Sequence, residues 1–347
     1  MIDFRYHLVS IVAVFLALAI GIVLGSTELQ GPAYNFLNKT TAKLQSELDQ
    51  VTSQRDTAQQ QASENDLYAQ AVEPAVLRDL LTGQRLLIVT EPGAPSSVIS
   101  GISTAAIDAG ATVTGQINLA PKFFDTSGTT QDSLNQTTLD VAQAGNITLD
   151  TSATYQQQAA QVIASEVLTT SAGSTSSASP GSPSAGIQSA SAGTMLQAYA
   201  ASQFLSTTGQ PARPATLAIV VTPQNVPSDG SADQLDQVLI PLVQELAAKS
   251  SATVVVGSTS GSGAGSPVAV LRSDNVSNQV STVDDADLVS GQTVAIQALA
   301  VRLAGGKAGS YGFTANGATA VAPSPAPTPA ASPSATPTTS STKKKAK

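Results

Sequence analysis

The residues best suited to binding a cation are three closely spaced aspartates, Asp284, Asp285 and Asp287. Carboxylate oxygens at this spacing could hold a hard cation such as Ca²⁺ or Mg²⁺. The complete pattern of a calcium-binding loop is absent, however. Aspartates are also common in loops and in the first turn of a helix, where they interact favourably with the helix dipole. The missing loop pattern favours this second interpretation.

Soft metal ligands are scarce in the chain, which has no cysteine, a single histidine, His7, and two methionines, Met1 and Met195. This composition excludes disulfides, thiolate metal sites and cysteine nucleophiles. One histidine outside the globular part cannot complete a Ser/His/Asp triad there, so we expect no enzyme. His7 is a weak metal candidate, and a polar residue at a membrane edge explains it as well. Met195 is predicted to be a core residue.

Two glycine-rich segments resemble phosphate-binding loops only superficially. The loop Gly257–Gly265 lacks the GK[ST] ending, and a further strand is predicted after it, so a linker is favoured. Gly305-Gly306-Lys307 follows a predicted helix and is typical of a carboxyl-terminal cap. The sequence therefore predicts no bound cofactor.

The chain carries a net charge of −8 over 347 residues, which argues against nucleic acid as a partner. Neutralising a phosphate backbone requires clustered Lys and Arg. The four lysines of residues 343–347 are best explained as a solvated terminus. Ser, Ala, Gly, Thr and Pro dominate an insert at residues 169–193 and a tail at residues 313–347. Both segments are predicted to be disordered, because they contain too few apolar residues to form a core.

Residues 1–30 are predicted to form a membrane anchor. The 18 residues from Leu8 to Gly25 contain no charge, and as a helix they would be about 27 Å long. A cleaved signal peptide is the alternative, but its apolar region is usually about 7–15 residues long and ends in small residues. Arg5 before the span and Glu28 after it favour a cytoplasmic amino terminus and an extracytoplasmic remainder. The lipid bilayer is thus an expected partner.

Residues 33–70 are predicted to form a coiled-coil stalk that assembles the chain into a homo-oligomer. Apolar residues recur there every three and four positions on an otherwise polar helix, as in a coiled-coil seam. An amphipathic helix lying on the globular domain is the alternative. Gly31-Pro32 predicts a break between anchor and stalk. The seam positions are Leu37, Thr41, Leu44, Leu48, Val51, Arg55, Ala58 and Ala62.

Residues 71–312 are predicted to form a three-layer α/β domain with a mostly parallel sheet, because strands and helices alternate. A short helix at Pro74–Leu81 leads into it. The predicted strands are Arg85–Thr90, Ala111–Leu119, Leu217–Thr222, Ala252–Gly257 and Pro267–Leu271. The predicted helices are Ser96–Ala109, Leu134–Ala144, Tyr155–Leu168, Met195–Leu205, Ala232–Ala248 and Gln292–Ala304.

Several stretches resemble the actinobacterial copper transporter MctB family, in the same order along the chain. They are residues 1–25, Thr90–Gly93, Ala109–Gly115, Val280–Asp284 and the segment reaching Gly309–Gly312. The resemblance implies copper efflux or copper homeostasis in the cell envelope, with copper as the transported ion. It also implies the layout of anchor, coiled coil and α/β domain. Copper prefers thiolate, thioether and imidazole ligands, which this chain almost lacks.

A non-catalytic scaffold of the cell envelope or division machinery is the alternative function. A short leader, one membrane span, a coiled coil and an exported domain suit such a role. Its partners would be other envelope proteins. The resemblance favours the copper hypothesis.

Overall fold

The computed structural model describes residues 4–170, 184–224, 232–261, 265–313 and 317–323. The chain divides into two compact units, Met1–Leu67 and Tyr68–Lys347. Most of the predicted disordered insert and tail lies outside the described residues. Residues 184–193, which were also expected in the insert, instead form the beginning of a helix, α5.

One long helix, α1 (Phe4–Leu77, 74 residues), begins the chain. Its residues Tyr6–Gly25 are apolar and long enough to cross a membrane. The predicted break at Gly31-Pro32 is wrong, because α1 continues through it. A proline inside a helix costs about 3 kcal/mol, a local penalty that long helical segments on both sides can outweigh. The separate helix predicted at Pro74–Leu81 is also wrong, since Pro74 lies in the last turn of α1.

The second unit is built on a mostly parallel seven-stranded sheet with strand order β3-β2-β1-β4-β5-β6-β7. Only the β2–β3 pair is antiparallel among these strands. The strands are β1 (Arg85–Thr90), β2 (Thr112–Leu119), β3 (Leu205–Gly209), β4 (Leu217–Val221), β5 (Ala252–Val256), β6 (Ser281–Val283) and β7 (Ser310–Tyr311). The α/β class and the mostly parallel sheet are therefore confirmed.

Seven helices follow α1 in the described residues. They are α2 (Ser96–Asp108), α3 (Gly128–Gly145), α4 (Tyr155–Val167), α5 (Ser184–Ala201), α6 (Ala232–Lys249), α7 (Pro267–Ser273) and α8 (Val289–Leu303). Short 3₁₀ turns occur at Pro121–Phe124, Thr259–Gly261 and Asn275–Asn278.

The segment predicted as a fifth strand, Pro267–Leu271, is the helix α7 instead. Ser266 caps this helix, with its Oγ accepting from the amide of Ala269 at 3.2 Å, and Pro267 occupies the first helical position. Both residues are typical of a helix start. Three strands, β3, β6 and β7, were not predicted from the sequence. β6 and β7 have only three and two residues, and β3 is largely exposed and polar.

β4 and β5 are buried along their whole length, and β1 is buried except at Arg85. The side chains of these central strands enter two separate hydrophobic clusters. Successive residues of a strand point to opposite sides of the sheet. Accordingly, Leu87 and Val89 belong to one cluster together with residues of α3, α4, α5 and α6, including Met195. Leu86 and Ile88 belong to the other cluster, with residues of α2 and α8. Met195 is thus a core residue, as predicted.

The pairing of β2 with β3 depends on Gly115. A Cβ at this position would overlap the carbonyl oxygen of Thr208 on β3. We expect Gly115→Ala to lower the free energy of unfolding by about 2 kcal/mol or more, because a strand must shift to relieve the overlap. Gly128→Ala at the start of α3, where a Cβ meets open space, is the control and should be neutral or stabilising. Thermal unfolding followed by circular dichroism measures both, and equal melting temperatures would refute the expectation.

Candidate functional site

Asp284 follows β6 directly, at the carboxyl end of the sheet, and its side chain is 0% exposed. Its Oδ2 accepts a hydrogen bond from Nη1 of Arg272, in the last turn of α7, at 2.9 Å. The Arg272 side chain is itself only 7% exposed. A buried charge is tolerated only when it is paired and hydrogen-bonded, and this ion pair meets both conditions.

The remaining polar atoms of the Arg272–Asp284 ion pair bind three other segments. Arg272 Nε donates to Thr282 Oγ1 at 3.0 Å, and its Nη2 donates to the carbonyl oxygen of Tyr311 at 2.7 Å. The backbone amide of Phe313 donates to Asp284 Oδ1 at 2.9 Å. The ion pair therefore joins α7, β6, β7 and the segment after β7.

Gly312 allows the chain to pass close to this ion pair. It has a φ of 112°, a backbone conformation that side chains disfavour. A Cβ there would also overlap Asp284 Oδ1. The backbone and the carboxylate thus require glycine for two independent reasons.

Asp285 lies beside the ion pair and is 8% exposed. Its Oδ1 is buried and meets no hydrogen-bond donor among the described residues. Burial, and then the negative charge of Asp284, raise the pKa of the Asp285 carboxyl to about 6. Gly291 at the start of α8 packs against this aspartate, and a Cβ there would overlap the carbonyl oxygen of Asp285.

Asp287 has a different role, closing the loop that follows β5. Its Oδ1 accepts from the amide of Thr259 at 2.7 Å, and its Oδ2 accepts from the hydroxyl of the same residue. It does not cap α8, which begins at Val289.

A helix, α7, follows the glycine-rich loop instead of the expected strand, and residues 262–264 of that loop lie outside the described residues.

Asp284 and Asp287 are thus held by hydrogen bonds to other elements of the second unit. In the part of the chain that the structure describes, no group of three or more His, Cys, Asp or Glu residues is arranged to hold a metal ion. His7 lies in the apolar segment of the first unit, and the aspartates lie in the second. Sequence reasoning missed Arg272, although an arginine among the apolar residues of α7 was a usable signal.

Comparison with known proteins identifies the family. The family model described as "Copper transport outer membrane protein, MctB" matches residues 1–323. The chain belongs to the MctB family. Proteins named "Copper transporter MctB" from Mycobacterium tuberculosis (strain ATCC 25618 / H37Rv) and Mycobacterium bovis are each 29% identical over 328 residues, covering 93% of this chain and 100% of their own. The namesake from Mycobacterium leprae (strain TN) is 27% identical over 327 residues, covering 92% and 99%.

Two stretches that resemble the MctB family meet at the ion pair. Val280–Asp284 contributes Asp284 and Thr282, and the segment around Gly309–Gly312 contributes the Tyr311 carbonyl and Gly312. Their separation along the chain concealed this from sequence analysis. The contacts show that these stretches support the structure of the second unit.

Asp285 should make the stability of this MctB-family protein depend on pH. The pKa of about 6 in the folded state exceeds the ordinary value, so the folded state binds more protons between pH 6 and pH 4. Stability should rise as pH falls through this range, and above pH 6 the ionised, buried carboxylate destabilises the fold. We expect Asp285→Asn to stabilise the detergent-solubilised protein by about 1–2 kcal/mol at pH 7, and hardly at all at pH 4.

Denaturant unfolding at several pH values between 4 and 7 measures this difference. Asp132→Asn, at an exposed position of α3, is the matched control and should leave the pH profile unchanged. A variant at position 285 that is less stable than the wild type at pH 7 would contradict the assignment.

Proposed function

We propose that this chain is a membrane-anchored, non-catalytic protein of copper homeostasis. The observation that carries the proposal is the match to the MctB family over residues 1–323. Relatives named copper transporters are covered over their whole length, so the likeness is not confined to a shared module. The apolar helix segment near the amino terminus supports membrane anchoring.

Copper chemistry limits how the protein can act. Cu(I) prefers thiolate and thioether ligands, and Cu(II) prefers imidazole. The sequence has no cysteine, Met195 is in the core, and Asp284 is neutralised by Arg272. We infer that the described part of the second unit does not hold copper at a resident soft-ligand site. Copper instead passes through carboxylates, backbone and water in an assembled protein, or with a partner protein of the envelope.

Cell-associated copper under copper challenge tests this function. A strain lacking the gene should accumulate copper, and restoring the gene should return the content to the parental level. Asp285→Asn should restore it as well, because this residue is assigned no role in transport. Unchanged copper content and copper tolerance in the deletion strain would overturn the copper role.

The anchor is proposed to place the amino terminus in the cytoplasm and the second unit outside. Arg5 on one side of the apolar segment and Glu28 on the other support this orientation. The chain has no cysteine, so single cysteines report topology without background. Ser46→Cys should react with a membrane-impermeant maleimide in intact cells, whereas Ile2→Cys should react only after the membrane is opened. The reverse pattern would invert the orientation.

The sheet and its two clusters support a three-layer arrangement of the α/β domain, for which we keep the predicted bounds 71–312. The two clusters contain alternate residues of the same strands, and different helices contribute to each. A parallel sheet buried on both sides is the usual architecture of this class.

The net charge of −8 supports a domain that does not bind nucleic acid.

Residues 33–70, within α1, are proposed to form a coiled coil with further copies of the chain. Leu37, Leu44, Leu48 and Val51 lie on its seam and are 59% to 64% exposed. Large apolar side chains repeated with this spacing are typical of a helix that pairs with an equivalent helix. A homo-oligomer would also bring several membrane helices together, which a single-span transporter requires.

Replacing the seam leucines should break the assembly. We expect Leu44→Gln combined with Leu48→Gln to shift the protein to a smaller species in analytical ultracentrifugation, because two buried seam side chains are lost from every helix. The control, Ser46→Gln with Ser53→Gln, changes the outer side of the same helix and should keep the oligomer. The seam variant should also fail to restore copper content in the deletion strain. An unchanged sedimentation coefficient would refute the coiled coil.

A further inference from the structure

A cavity of about 410 Å³ lies where α3 and α4 begin, away from the Arg272–Asp284 ion pair. Thr126 precedes α3, Tyr155 and Gln156 form the first turn of α4, and Gln237 with Val238 come from α6. The volume falls within the range of about 300–1,000 Å³ that is usual for small-molecule sites. The cavity is large enough to hold a compact organic ligand.

The lining of this cavity is polar but uncharged. Among the described residues that form it, eight of ten carry a neutral hydroxyl or amide, and none is Asp, Glu, Lys, Arg or His. Hydroxyls and amides both donate and accept hydrogen bonds. Such a lining matches a neutral ligand that carries many hydrogen-bond donors and acceptors.

The side-chain amide of Gln156, which lines the cavity, has a hydrogen-bond donor that is unpaired in the described part of the chain. Its side chain is only 5% exposed, and its buried Nε2 meets no acceptor among the described residues. Leaving such a buried donor unpaired is unfavourable. The neighbouring Gln158 is satisfied, because its Nε2 donates to the carbonyl oxygens of Asp150 at 2.9 Å and Ala153 at 3.2 Å. A ligand oxygen at Gln156 would supply the missing acceptor.

The surroundings of the cavity disfavour an anion. Two helix starts meet there, and a helix start ordinarily attracts negative charge. A carboxylate precedes each helix: Asp125 accepts from the amide of Ser127 at 2.8 Å, and Asp150 accepts from the amide of Ser152 at 2.9 Å. These hydrogen bonds lower the pKa of both carboxyls, so both are charged at neutral pH. These carboxylates are chain neighbours of the lining residues Thr126 and Thr151, and the described lining has no cation to balance an anionic ligand.

Tyr155 adds an aromatic surface to the cavity. Its side chain is 37% exposed, so part of the ring remains accessible, and the buried Val238 adds an apolar wall. A ligand that combines hydroxyl groups with an apolar C–H face fits this pairing of amides and an aromatic ring. We propose that the cavity is a binding site for a neutral saccharide, with Gln156 as a hydrogen-bond donor and Tyr155 as a stacking surface. The proposal does not depend on the copper role.

Calorimetric titration of the full chain, solubilised in a detergent without a sugar headgroup, tests the site. The probes are maltose and trehalose as free disaccharides, dextran as a neutral polymer, and glucose 6-phosphate as an anionic comparison. Gln156→Leu and Tyr155→Ala should each weaken binding of the neutral probe by about tenfold or more, since a hydrogen bond or a stacking contact is lost. Gln157→Leu, on the same helix turn but outside the lining, is the matched control and should bind as the wild type does.

Gln156→Leu replaces an unpaired buried amide by an apolar side chain, so its melting temperature should equal or exceed that of the wild type. Loss of binding with retained stability separates a ligand contact from a structural role, and Tyr155→Ala provides an independent check. Binding of the disaccharides identifies a free sugar as the ligand, and binding of dextran alone identifies a sugar within a polymer. The proposal is overturned if no neutral probe binds, if both variants bind unchanged, or if glucose 6-phosphate binds more tightly than the neutral sugars.

Discussion

The Arg272–Asp284 ion pair is the interaction on which the carboxyl-terminal side of the sheet depends. Both side chains are almost completely buried, and each makes further hydrogen bonds to β6, β7 or the segment after β7. Removing one partner of a buried pair leaves an uncompensated charge and typically costs about 3–5 kcal/mol. The strands themselves are too short to supply such a constraint, since β6 has three residues and β7 two.

Glycine and a protonatable aspartate complete this arrangement. Gly312 and Gly291 allow backbone to approach Asp284 and Asp285 at distances that any side chain would prevent. The close approach buries Asp285, and burial beside a second carboxylate makes its charged form unfavourable. The raised pKa of Asp285 is therefore a consequence of the packing around the ion pair. Where the carboxyl is ionised, its burial lowers the free energy of unfolding of the second unit.

The hydrophobic pattern made the central sheet predictable. Leu86–Val89 and Leu217–Val221 are continuous apolar runs, as expected for strands buried on both sides, and the structure places them side by side. The edges could not be predicted in the same way. β6 and β7 are too short to show a period, and their pairing depends on Arg272, which lies in a different element. Local signals also misled: Pro32 lies within α1, and an apolar run after Ser266 forms a helix because its cap and proline determine its start.

The candidate site was predictable in composition but not in role. Three aspartates within four residues suggested either a cation site or, preferably, a loop and helix start. The structure gives each a different environment: Arg272 pairs with Asp284, Asp285 is buried, and Thr259 donates to Asp287. The stretches Val280–Asp284 and Gly309–Gly312 contribute Asp284, Thr282 and the Tyr311 carbonyl to the ion pair and its hydrogen bonds. The sequence has no cysteine and a single histidine, so the soft ligands that copper prefers are nearly absent from this chain.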